Sequence, residues 1–146
     1  MKKLLSLTLA TSFAFILSGC YGSASSMNTP KTLNLDVKHV CSIEENGIEK
    51  VLESAAKYNA IAKAEHLEFM RLGMTATQYI DSANAAVKSG AKTVDIVDKD
   101  GKTTGTVTTE YAAWRGCSFA LRALQESEEA QTTWRLAIPG DGYKYE

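Results

Sequence analysis

Few side chains in this 146-residue sequence could carry covalent or metal chemistry. The cysteines are Cys20, Cys41 and Cys117; the histidines are His39 and His66. A thiol attacks or ligates as the thiolate, and a nearby imidazole is the usual base that generates it. His39 stands two residues before Cys41, which would put both on one side of a strand. His66 falls almost in line with Ile48 on the apolar face of a helical pattern, where a half-buried, hydrogen-bonded histidine is the ordinary reading. No Cys-x-x-Cys redox motif, haem attachment motif or zinc pattern occurs, nor any Gly-x-Ser-x-Gly or His-Glu-x-x-His. The stretch "DIVDKDGKTTG" tempts a calcium reading. With Gly101 at the glycine position, however, Ile96 and Val107 fall where an EF-hand needs oxygen ligands. Turn chemistry fits the segment better. The chain thus calls for no metal and no cofactor, and its carboxylates form no marked catalytic pair. One recognition feature remains. Tyr111, Arg115, Ser118 and Arg122 recur at helical spacing in a column beside an apolar face. Two stacked arginines could grip a carboxylate or phosphate; the plain alternative is a solvated stripe in which Arg122 pairs with Glu126. Trp134, Tyr143 and Tyr145 could add an aromatic contact surface.

The elements that would position these residues emerge from periodicity. Residues 33–37 alternate apolar and polar, a short strand signal, and 44–47 read as a turn in which Asn46 can cap the next helix. Residues 48–72 are helical, with Ile48, Val51, Leu52, Ala55, Ala62, His66 and Phe69 on one face. Charged residues, including a Glu53–Lys57 pair, line the other face, and Gly73 is the expected stop. Thr75-Ala76-Thr77-Gln78 is a capping box. Ala76, Tyr79, Ile80, Ala83, Ala86 and Val87 mark the second helix, closed by Gly90, and the two helices suggest an αα-hairpin. Residues 92–97 and 102–109 are strands around the turn 98–101. A third helix at 110–126 should bury Ala113, Trp114, Cys117, Ala120, Leu121 and Leu124. Residues 133–138 look like a last strand, stopped by Pro139-Gly140. The expected fold is α+β: three main helices on a small antiparallel sheet.

The N-terminus supplies an address. A basic head, Lys2 and Lys3, precedes an apolar stretch from Leu4 to Leu17, too short and too rich in Ser and Thr to span a bilayer, which takes about 20 apolar residues. The closing Leu17-Ser18-Gly19-Cys20 resembles the lipobox of bacterial lipoproteins; the alternative is an ordinary secretory signal with an incidental cysteine. The resemblance implies diacylglycerol on the Cys20 sulfur, cleavage before Cys20 and a third acyl chain on the new amino group. One chain binds a membrane marginally, so several are needed for a stable anchor. Tyr21, in place of the Asp that commonly retains such proteins at the inner membrane, leans towards the outer membrane, facing the periplasm. Residues 1–19 are then signal peptide. Residues 20–31, small, polar and nearly uncharged, are lipidated cysteine and flexible tether. Residues 32–146 are one globular domain.

Loss of Lys2 and Lys3 leaves 14 basic against 17 acidic residues, a net charge of −3. No basic stripe exists, which argues against nucleic acid as a partner. In an exported protein the remaining even pair, Cys41 and Cys117, is best explained as a disulfide, which weakens the thiolate reading of His39; two separate buried thiols are the alternative. These features point to a non-catalytic, membrane-anchored envelope lipoprotein that binds another envelope protein. An accessory factor of a secretion, pilus or flagellar assembly would fit. The likeness to the small lipoproteins called pilotins is one of size, anchor and disulfide only. The second reading is a periplasmic inhibitor or immunity protein against a cell-wall hydrolase.

Overall fold

A computed structural model describes residue 32, residues 34–71 and residues 73–133. Cys20, the tether, Trp134, Tyr143 and Tyr145 lie outside them. So does the strand expected at 133–138, apart from Thr133, which closes a helix. The elements run α1 (Val37–Val40), α2 (Ile43–Asn46), α3 (Ile48–Ala64), β1 (Met70–Arg71), β2 (Met74–Thr75), α4 (Ala76–Ser89), β3 (Thr93–Val97), β4 (Thr103–Thr108) and α5 (Thr109–Thr133). Of the three longer helices, α4 and α5 pack on the antiparallel β3–β4 hairpin and α3 packs on α5, an α+β arrangement closed by a Cys41–Cys117 disulfide.

α5 is the axis of the fold. Both α3 and α4 lean on it more than on each other, so the expected αα-hairpin gives way to a three-helix arrangement around α5. Ala112, Ala113, Cys117, Phe119, Ala120, Leu121, Ala123 and Leu124 are all buried, more than a single amphipathic stripe would cover. Small residues make this possible. At Gly116 a side-chain carbon would lie 2.7 Å from Ile80 Cγ1 and 3.2 Å from Ile80 N, so α4 and α5 meet at backbone range. α5 also continues past the expected end at 126. Its Glu and Gln residues there are good helix formers and no Gly or Pro interrupts them. The extra turns have a use. Gln125 Nε2 donates to the carbonyls of Thr32 (2.8 Å) and Leu35 (2.7 Å), while Thr32 N and Oγ1 donate to Glu128 Oε2. The fully buried Thr32 is thereby fastened to the second half of α5.

α4 matches its sequence signals closely. The Thr75–Gln78 capping box is formed, Gly90 ends the helix in the left-handed region, and Ala76, Tyr79, Ile80, Ala83 and Ala86 are buried. α3 buries Val51, Leu52, Ala55 and Ala62 as expected, and adds Asn59. It ends at Ala64, eight residues short of the expected end at 72. His66 takes a left-handed backbone (φ 59°) and is exposed, rather than lying on the apolar face. Met70–Arg71 then pairs with Met74–Thr75 through a turn at Gly73. Gly73 (φ 91°) abuts β3, where an added Cβ would sit 2.8 Å from Asp98 Cα and 2.9 Å from Val97 O. No ion pair joins Glu53 to Lys57 among the described residues; Lys57 Nζ lies 5.5 Å from the Tyr58 ring centroid.

The segment before α3 is two short helices, not a strand and a turn. Asp36 accepts from Lys38 N and caps α1; Ser42 accepts from Glu45 N and caps α2. A five-residue alternation is too short to outweigh two good N-caps. Asn46 does not cap α3. Its Nδ2 donates to the His39 and Ser42 carbonyls, and Gly47 holds the cap position. In the hairpin, Val94 pairs with Val107 and Ile96 with Gly105, with an irregularity before the Val97–Thr103 pair. Its turn is held by Asp98 Oδ1, which accepts from Asp100 N and Lys102 N at 2.9 Å each.

Candidate functional site

The Cys41–Cys117 bond (Cα–Cα 5.7 Å) ties the C-cap of α1 to the middle of α5. Both sulfurs are consumed, so no thiolate is left for His39 to activate. His39 is not on a strand with Cys41. It lies in α1, exposed, with Nδ1 2.9 Å from Glu45 Oε2 and Nε2 3.8 Å from Asp36 Oδ2. The hydrogen bond and charge of Glu45, with the charge of Asp36, raise its pKa above the ordinary histidine value. The disulfide thus serves architecture. It holds the α1–α2 segment against the first turns of α5, where the exposed aromatic residues lie.

Tyr111 and Trp114, 41% and 36% exposed, stand one turn apart on α5. Their rings contact at 5.4 Å between centroids. Trp114, expected in the core, is on the surface instead. Phe119, which sequence periodicity passes over, is the buried aromatic of α5, packed against Phe69 (4.9 Å) and Tyr79 (5.7 Å). Arg115 lies between the two environments, its guanidinium carbon 4.6 Å from the Phe119 ring centroid and 5.6 Å from that of Trp114. Cation–π contacts of this kind hold the fork in place without neutralising it. Below it, burial pushes the Tyr79 hydroxyl above its ordinary pKa and nearby Tyr111 adds to this, while Arg115 opposes it. Beside the aromatic pair runs a shallow groove of about 700 Å³, lined by Lys38, Ile43, Glu44 and Glu110 among others.

The four-residue column expected on α5 is interrupted. Tyr111 is exposed and Arg115 half-buried, but Ser118 is 3% exposed and its hydroxyl finds no hydrogen-bond partner among the described residues. Arg122 re-emerges beyond it as an exposed side chain, without an ion pair to Glu126 among the described residues. The surface therefore centres on Tyr111, Trp114 and Arg115, and Arg122 stands apart. Ser54 and Lys57 have a Ser-x-x-Lys spacing that sequence reasoning missed. Lys57 is exposed and turned over Tyr58, and no hydrogen bond links it to Ser54 among the described residues. What the α5 surface offers is stacking, cation–π contact and hydrogen bonding, the chemistry of recognition.

No protein family, curated protein or solved structure matches this chain.

Proposed function

We propose that this chain is a non-catalytic envelope lipoprotein, anchored through Cys20, most fittingly at the outer membrane facing the periplasm. Its task is to bind another envelope protein through the Tyr111–Trp114–Arg115 surface. The observation that carries the reading is the exposed aromatic pair beside a pre-oriented arginine, on a helix braced by a disulfide. Tyr, Trp and Arg dominate the energetics of protein interfaces, and a rigid support reduces the entropy cost of using them. An accessory role in a secretion, pilus or flagellar assembly suits such a module.

The anchor and this surface are compatible in space. Thr32 is fastened to α5 at Gln125 and Glu128, fourteen residues along the helix from Tyr111 and Trp114. At about 1.5 Å per residue that is roughly 21 Å. The recognition surface then lies at a distance from Thr32, open to a partner held at the same membrane.

The test is photo-crosslinking in intact cells from position 111, with labelled fatty acid tracked in parallel. The expected result is a discrete adduct with one envelope protein, fatty-acid label in the parent, and none in Cys20→Ala. Label retained in Cys20→Ala would reject the anchor; absence of any adduct from position 111 would reject the surface.

A further inference from the structure

A second surface lies on the other side of the hairpin, on α4 and β3. Among the described residues the β3–β4 sheet has two strands, which leaves β3 with an outer edge. Hydrogen bonds fix which groups face it. Lys92 O accepts from Thr109 N, Asp98 N donates to Lys102 O, and Ile96 O accepts from Thr104 Oγ1. These even-numbered residues of β3 and its flanks turn their main chain towards β4. By the alternation of an antiparallel ladder, Thr93, Asp95 and Val97 turn their N–H and C=O groups outward. Gly73 covers the Val97 end. No strand pairs with the outward groups of Thr93 and Asp95 among the described residues.

That edge opens onto a groove of about 730 Å³ between β3 and α4, with no β4 residue in its lining. The α4 wall runs from Gln78 and Asp81 to Ser82, Ala85, Ala86 and Ser89, and the last four are small enough to leave room for a main chain beside β3. Among the described residues the lining holds two carboxylates, Asp81 and Asp95, and no cationic side chain. A second copy of this chain is a poor occupant. Antiparallel pairing of β3 with its own copy would bring Asp95 close to its equivalent, and like charges across strands are destabilising.

We infer that the β3 edge accepts an extended, basic segment of another protein as an added strand, with main-chain hydrogen bonds to Thr93 and Asp95 and its cations beside Asp81 and Asp95. Strand addition of this kind draws affinity from the main chain and selectivity from the groove walls. The site shares no residue with the aromatic surface and does not depend on the anchor, so either can fail without the other.

The test uses the full processed chain in detergent and amide exchange at Thr93 and Asp95. The probe is a six-residue peptide alternating lysine and valine. Its controls are a glutamate-for-lysine version and a version methylated on its main-chain nitrogens. Both amides should exchange freely in the chain alone, and the lysine peptide should slow them about tenfold or more when it occupies most sites. Neither control should. Asp95→Asn keeps the N–H and loses the charge, so it should weaken binding. Asp95→Pro removes an outward N–H without cutting the ladder, a tolerated edge position, and should abolish protection. The inference is overturned by any of four results: protection already present in the chain alone, which would show the edge covered by this chain's own remaining segments; protection that appears only with self-association; no effect of the lysine peptide at millimolar concentration; or equal binding by the methylated peptide or by a folded Asp95→Pro chain.

Discussion

Replacing Gly116 by alanine probes the contact on which the helical core depends. Two opposing effects can be sized. Alanine is a better helix residue than glycine, worth about 0.5–1 kcal/mol in a helix interior. Against this, the new methyl would sit 2.7 Å from Ile80 Cγ1, where carbon atoms prefer about 3.5–4.0 Å. Ile80 is 4% exposed and enclosed, so it has little room to retreat. Overpacking of this kind costs about 1–3 kcal/mol. The overpacking outweighs the propensity gain, and a net loss of about 1–2 kcal/mol is expected. For a domain of this size that lowers Tm by roughly 5–15 °C. Urea titration should show a lower midpoint with an unchanged slope. Ile80→Ala alone should cost about 2–5 kcal/mol. In that background the loss from Gly116→Ala should shrink markedly, because the nearest obstructing atom is gone and only the 3.2 Å approach to Ile80 N remains. A Gly116→Ala variant more stable than the parent, or an equal loss in both backgrounds, would refute the close α4–α5 approach.

Removing the disulfide as Cys41→Ala with Cys117→Ala opens a loop spanning 76 residues. The chain-entropy relation gives about 4.5 kcal/mol for that closure, and denaturant titration of oxidised parent against variant should show a loss of about 2–5 kcal/mol. Imidazole titration by NMR should place His39 above the ordinary histidine value. Its pairing with Glu45 and Asp36 stabilises fully below the unfolded-state pKa and is lost as pH rises through the folded one, so His39→Gln should match the parent in base and fall behind it in acid. Glu68 has the opposite sign. Desolvation pushes its pKa up, but hydrogen bonds from Thr77 and Thr75 and the charge of Lys63 outweigh this and leave it below the ordinary value. Its contribution is present above the unfolded-state pKa and lost as pH falls through the folded one. Glu68→Gln should therefore cost stability at neutral pH, and the gap should close in acid, as read by denaturant midpoints across pH.

Signals local to a few residues were legible in the sequence. The Thr75–Gln78 box, the Gly90 stop, the 98–101 turn and the apolar face of α4 all appear where their chemistry placed them. The Cys41–Cys117 pairing followed from the expectation that the chain is exported and that Cys20 carries lipid, which leaves two of the three cysteines as a pair. What failed depended on neighbours. Phe69 continued the helical period numerically, but it reaches the core from beyond the end of α3, after the turn at His66. Trp114 and Ser118 exchanged their expected places because α5 is enclosed by α3 on one side and α4 on another. An amphipathic-face rule assumes one buried side. The same enclosure hid Phe119 and split the arginine column. The aromatic surface was therefore only half visible: Tyr111 and Arg115 were marked by spacing, while Trp114 needed the packing to bring it out.

The most direct measurement of the binding role is the affinity of the crosslinked partner for the parent and for Trp114→Ala. Trp114 is 36% exposed, so its removal should also cost some stability through lost burial; a denaturant midpoint measures that cost and shows that the variant is folded under the binding conditions. A tryptophan at the centre of an interface typically contributes about 2 kcal/mol or more, so the dissociation constant should rise about 30-fold or more. Arg115→Glu should weaken binding as well, while Arg122→Glu, beyond the buried Ser118, should change it little. A folded Trp114→Ala chain that binds the partner as tightly as the parent would contradict the assignment of this surface.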